Sequence, residues 1–169
     1  VDCDMRLANA GILLGLSSHR SIGDLLAGQI GIEELLMRGP AGLSFLPGHS
    51  GTGSGSTLST AERGRLMQAL RPYVARFDQI VIDTGGGLDP ASLGLIAAAD
   101  TVLIVLTPEP TSFVDAYAIV KALAVSHGTA RFEIVANMVA HESAGHALFD
   151  KFRAVVTRFL DVDLDFAGA

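Results

Sequence analysis

Gln79-Ile80-Val81-Ile82-Asp83-Thr84-Gly85-Gly86-Gly87 is the stretch that decides how the chain is read. Ile80, Val81 and Ile82 are all apolar and β-branched, and Asp83 closes the run. A short continuous apolar run of this kind predicts a strand buried on both faces, as in a parallel sheet. Asp83 then stands at the strand's carboxyl end, with three glycines directly after it. Ligands of open α/β sheets bind in the crevice outside the carboxyl ends of the strands. A carboxylate held there, beside backbone that a ligand can approach closely, suits a magnesium–phosphate group. The plainer alternative is a strand-ending Asp that caps the next helix.

Working outward, the same pattern recurs. Residues 101–107 form a second continuous apolar strand, Val102-Leu103-Ile104-Val105-Leu106, ending at Thr107-Pro108. Residues 132–137 form a third, ending on Asn137. Helices separate them: 90 to about 98 after Asp89-Pro90, 111–124 capped by Thr111 or Ser112, and 143–159. Strands alternating with helices imply βαβ units, hence an α/β fold with a mostly parallel sheet and helices on both faces. Asp83, Thr107-Pro108 and Asn137 would then share one rim. Upstream, 7–16 suits a short helix, Ser21 caps a helix over 22–27 that Gly28 ends, and 32–37 suits a third. A short strand follows at 43–46. Residues 48–58 are glycine, serine and threonine with almost nothing apolar, which predicts a flexible loop. Ser59 with Glu62 three residues on is a capping box that opens a long helix carrying Leu66, Leu70 and Val74.

The bulk numbers agree with one domain over 1–169. Hydrophobic residues make up 49% of the 169 and the mean hydropathy is +0.43, which excludes a disordered chain. Net charge is −6 with two lysines, Lys121 and Lys151, so no basic patch invites direct nucleic-acid binding. The one cysteine, Cys3, has no internal disulfide partner, in keeping with a reducing cytoplasm. Val1-Asp2-Cys3-Asp4 has no lead-in, and 162–166 alternates like a strand and stops, so the sequence reads as a piece of a longer chain.

Asp2 and Asp4, spaced by two, point to one face on a strand and converge on one ligand past its end. With Asp83 they make three rim carboxylates, a group suited to Mg²⁺, which takes oxygen ligands, keeps waters and shares them with phosphates. Asn137 offers both an amide donor and a carbonyl acceptor, fit to read a purine edge, or it is a turn residue.

At this point the residues resemble a known family. Asp2-Cys3-Asp4-Met5-Arg6-Leu7-Ala8-Asn9 resembles the switch segment of the MinD/ParA ATPases, and residues 80–87 resemble their Walker B strand and following loop. Thr107-Pro108-Glu109-Pro110-Thr111-Ser112, with Asp115-Ala116-Tyr117, is similar to a segment of the flagellar-number regulators (FlhG/FleN). Asn137-Met138-Val139, Leu46-Pro47-Gly48 and Leu58-Ser59 are similar to that family too, in order along nearly the whole chain. The resemblance implies the SIMIBI-type P-loop fold and an ATP-driven dimerisation switch with slow hydrolysis, regulating flagellum number or placement. It implies that Asp83 holds Mg²⁺ through water with Asp2 in support, and that Asp4 orients the attacking water. Asn9 would reach nucleotide or partner across a homodimer, and Thr84, Pro108, Glu109 and Asn137 would line the ATP site. It implies a cytoplasmic protein with partners in flagellar assembly and peripheral contact with the inner membrane face. Alternatives within the same kinship are a non-hydrolysing assembly scaffold and a cell-division or plasmid-partition ATPase.

The likeness has departures. The phosphate-binding loop G-x-x-x-x-G-K-[ST] does not occur in these residues; in the family it precedes the position of Asp2. Thr84-Gly85-Gly86-Gly87 lacks a proline after the threonine. Three weaker signals are set aside. Gly48 to Thr57 has no lysine for a phosphate cradle, Gly48-His49-Ser50-Gly51-Thr52 lacks the last glycine of a hydrolase elbow, and His141 and His146 are five apart, not four.

Overall fold

The computed structural model describes residues 1–4, 7–48 and 58–169. Met5, Arg6 and most of the glycine–serine loop expected over 48–58, together with the two motifs weighed inside it, lie outside the described residues. The chain forms two compact units, Val1–Gly85 and Gly86–Ala169, each with its own packing.

In Val1–Gly85 the elements are short: helices α1 (Ala10–Leu13), α2 (Ile22–Leu26) and α3 (Ile32–Leu35), strands β1 (Met37–Arg38) and β2 (Ser44–Phe45), and α4 (Thr60–Leu70). Ser21 caps α2, as the sequence predicts, and also exchanges bonds with Asp24; at α4 Ser59 and Glu62 form the predicted capping box. β1 and β2 pair antiparallel around a 3-10 turn at Pro40–Gly42; a two-residue strand is too short for periodicity to reveal, and β1 was not foreseen. A further 3-10 turn, Arg71–Arg76, continues α4. Ile22, Leu35, Leu66 and Phe45 are buried, and the Arg65 guanidinium donates to the Leu26 carbonyl at 3.0 Å, tying α4 to the end of α2.

The deciding stretch departs from expectation here. Residues 80–83 form no regular strand; they make a single parallel bridge, Asp2 opposite Asp83. Three backbone bonds hold it: Val1 N to Val81 O at 2.7 Å, Asp83 N to Val1 O at 2.8 Å and Cys3 N to Asp83 O at 2.7 Å. On its other side the Val1–Cys3 segment donates from Asp2 N to Leu46 O at 3.0 Å. The run is not buried on both faces, since Val81 is 73% exposed. It is apolar enough for a central strand, but the described residues pair it on one side only.

Gly86–Ala169 holds α5 (Pro90–Ile96), β3 (Leu103–Leu106), α6 (Pro110–His127), β4 (Arg131–Ala136), α7 (Glu142–Phe159) and β5 (Asp163–Gly168). The strands form one parallel sheet in the order β3-β4-β5, with Ile104 opposite Ile134 and Phe132 opposite Leu164. Those residues and Leu106 share one face and pack with Val120 and Leu123 of α6 and Phe149, Phe152 and Val156 of α7 in one core. β3 is therefore not buried on both faces: Leu103 and Val105, on the opposite face, are each about half exposed. The N-cap of α6 is Glu109, with Pro110 at the first helical position, not Thr111 or Ser112. Ser112 instead turns its hydroxyl back to accept from Thr107 N at 3.0 Å, closing the β3–α6 turn. Gly128, at φ 69°, ends α6 in a left-handed cap where a side chain would be strained.

Candidate functional site

The Asp2–Asp83 bridge sets the geometry of the first unit's acidic edge. The two carboxylates lie on adjacent, parallel segments, so Asp83 ends its run where Asp2 begins the turn toward Asp4. Their surroundings differ. Asp2 is 1% exposed, and its Oδ1 accepts from Asp4 N at 3.2 Å. Burial pushes its carboxyl above the ordinary carboxylate range; the backbone N–H of Asp4 counteracts this, and the nearby Asp83 charge adds to it. Asp4 is half-buried, and its Oδ1 accepts from Leu7 N at 3.1 Å. Asp83 is exposed.

Two glycines fit against these acids. A Cβ on Gly85 would meet Asp4 Oδ1 at 3.2 Å, so the loop after Asp83 lies directly against the Asp4 carboxylate. A Cβ on Gly48 would meet Asp2 O at 2.8 Å and Asp2 Oδ1 at 2.9 Å. The second contact was not foreseen; Leu46-Pro47-Gly48 carries it in sequence, but nothing local says which residue it will meet. Thr84 is half-buried beside Asp83, and Asn9, exposed, precedes α1 without a side-chain cap bond.

Asp2, Asp4, Asp83 and Thr84 thus lie at one edge of the first unit. No cluster of three His, Cys, Asp or Glu able to hold a metal occurs among the described residues. The acids here do not make a closed cage. That suits Mg²⁺, which binds through one or two carboxylates, waters and substrate phosphates. The residues fit a water-mediated ion at exposed Asp83, with buried Asp2 ordering the turn that carries Asp4. A cavity of about 360 Å³ lies below, walled by Leu14, Phe45, Leu70 and Phe77 with Asp2 and Asp83 at its lining; its apolar walls do not suit phosphates.

The remaining predicted residues fall in the second unit. Thr107-Pro108-Glu109 follows β3 and Asn137 follows β4, at the same end of one parallel sheet, joined by Asn137 N to Leu106 O at 2.8 Å. Pro108, Glu109 and Asn137 are exposed. Asn137 Oδ1 accepts from Met138 N at 2.9 Å, and Met138 adopts φ 58° beyond it. His141 Nδ1 accepts from Ala144 N at the start of α7, a cap rather than a metal ligand, and the His146 ring packs on Phe166.

The parallel sheet flanked by helices in the second unit makes this an α/β protein; the acidic turn and the start of the glycine-rich loop after Asp83 belong to the first unit. In sequence the chain is similar to flagellar regulators and MinD-type proteins. No family model matches it. It is 39% identical over 168 residues to the antiactivator FleN of Pseudomonas aeruginosa, covering 99% of this chain and 60% of that protein. It is 31% identical over 169 residues to the flagellum site-determining protein YlxH of Helicobacter pylori, covering 99% of this chain and 57% of that one. The chain therefore spans less than two thirds of the length of these relatives. Among solved structures, the MinC:MinD cell division protein complex of Aquifex aeolicus matches with a TM-score of 0.70 at 20% identity, over 96% of this chain and 64% of that one. Cobyrinic acid a,c-diamide synthase from Mycobacterium smegmatis, bound to an ATP analog and magnesium, matches at 0.50 and 18% identity, over 98% and 57%.

Proposed function

We propose that this chain is the core of an ATP-dependent, dimerising switch that hydrolyses ATP slowly with Mg²⁺ and acts in setting the number or placement of flagella. The observation that carries the reading is the Asp2–Asp83 parallel bridge, with Asp4 two residues on and lying against Gly85. It brings to one edge the acids that this reading assigns to the metal and to the attacking water. The kinship with FleN and YlxH supports the flagellar role. We place the chain's action in the cytoplasm near the inner membrane face, as the family resemblance of the sequence implies. Among the described residues no helix is long and apolar enough to cross a membrane.

In this reading Asp83 holds a water of the metal shell, and Asp2, buried and bonded to Asp4 N, fixes the turn. Asp4 accepts a hydrogen bond from the attacking water and aligns it, a positioning effect. The bound Mg²⁺ would offset the charge that develops on the phosphate oxygens. Thr84, Asn9, Pro108, Glu109 and Asn137 are assigned to the nucleotide or to the second copy across a homodimer.

The test uses the protein at its full natural length. Asp4→Ala is expected to bind ATP with near wild-type affinity and to lower turnover at least about 100-fold, the lower end of a positioned proton acceptor's usual contribution. Hydrolysis at the wild-type rate by that variant removes Asp4 from the chemistry. No ATP binding by the wild type favours a non-hydrolysing scaffold instead.

A further inference from the structure

We infer that Gly48 is a positioning residue for the acidic turn: it acts through the buried Asp2 carboxylate on Asp4, and it does so because it has no side chain. This rests on the role proposed above for Asp2 and Asp4. Gly48 is not among the glycines with positive φ, so an alanine there meets no conformational penalty; the constraint is space. A Cβ would lie 2.8 Å from Asp2 O, 2.9 Å from Asp2 Oδ1 and 2.8 Å from Ala8 Cβ, closer than such contacts are tolerated. Two of those three neighbours belong to one residue, and that residue is 1% exposed.

Asp2 has little room to retreat. Its N–H is committed to Leu46 O, and its neighbours Val1 and Cys3 are committed to the 81–83 run. The segment carrying Gly48 is anchored too, because Pro47 O accepts from Ile22 N at 2.9 Å. A methyl group at position 48 therefore presses on the Asp2 carbonyl and carboxylate together, and of these the side chain is the part a rotamer change can move. Asp2 Oδ1 is the atom that accepts from Asp4 N at 3.2 Å, so its displacement releases the turn that aims Asp4. Gly85 offers a contrast: its nearest neighbour is the Asp4 side chain itself at 3.2 Å, which can yield.

The experiment is a double-mutant cycle in the full-length protein, read as kcat for ATP hydrolysis, with mant-ATP binding in Mg²⁺ and in EDTA as the binding references. Asp2→Ala is expected to lower kcat about tenfold or more, as misplacing an aligned group does. Gly48→Ala is expected to lower it similarly while leaving mant-ATP binding unchanged with and without metal. In the Asp2→Ala background, with no carboxylate to displace, adding Gly48→Ala is expected to change kcat less than about twofold. Gly64→Ala, on an open surface of α4, serves as the neutral control. Additive effects, or equal loss of metal-free binding, would mean a general structural role and overturn the proposal. Asp2→Ala without effect removes the underlying reading; Asp2→Ala effective with Gly48→Ala silent overturns only the role of Gly48. If Gly48→Ala does not fold by circular dichroism, Ala8→Gly/Gly48→Ala, which removes one of the three close contacts, carries the same measurement. Failure of both to fold overturns the proposal.

Discussion

Asp2 shows how a single carboxylate can be placed at a cost to the fold. Its carboxyl is held above the ordinary value of 3.8, chiefly by burial. Between that value and the raised native one, the native state binds the proton that the unfolded state has released. Stability therefore falls as pH rises through that window and stays lowered at neutral pH. Asp2→Asn keeps an acceptor for Asp4 N and removes the buried charge, so its melting temperature at pH 7 is expected to exceed that of the wild type; an unchanged or lower value contradicts the sign. Cys3 is governed by the same burial, which pushes its thiol up to about 12. It is expected to resist a thiol reagent at pH 8 in the native protein and to react fully in denaturant. The sequence put Asp83 at the carboxyl end of a buried strand; the structure gives it a single parallel bridge opposite Asp2 instead. Nor did the sequence reveal that Asp2 would be buried, since spacing says which way a side chain points and not what covers it.

At the scale of elements, short-range chemistry was readable and neighbour count was not. The Ser59–Glu62 capping box, Ser and an acid three residues apart, forms as read, while Ser21, read only as a cap, also forms a box with Asp24. Ser59→Ala is expected to cost about 1 kcal/mol in denaturant unfolding, the usual worth of such a cap. The cap of α6 was misplaced by two or three residues because Pro110 at the first helical position moves it to Glu109. Burial of the apolar runs was overestimated: Ile80, Val81 and Ile82 have the composition of a central strand, yet pairing on one side leaves Val81 mostly exposed. Hydrogen exchange should reflect this, with the Ile134 amide, in the central strand of its sheet, protected far longer than the amides of residues 80–82.

For the whole molecule, the α/β class was legible because strand and helix periods alternate, and the parallel β3-β4-β5 sheet bears it out. The division into two compact units was not, because nothing in composition marks Gly85-Gly86 as more than a glycine-rich loop. Within the second unit Phe132 and Phe152 are fully buried in the core, and Phe152→Ala is expected to destabilise it by about 3–5 kcal/mol. The functional account has one requirement, that Asp83 engages a metal-bound nucleotide. The direct measurement is nucleotide affinity of the full-length protein and its Asp83→Ala variant, each with Mg²⁺ and with EDTA. The account predicts at least a tenfold loss of affinity for the variant in Mg²⁺ and none in EDTA. Equal affinities of the two proteins in Mg²⁺ would contradict it.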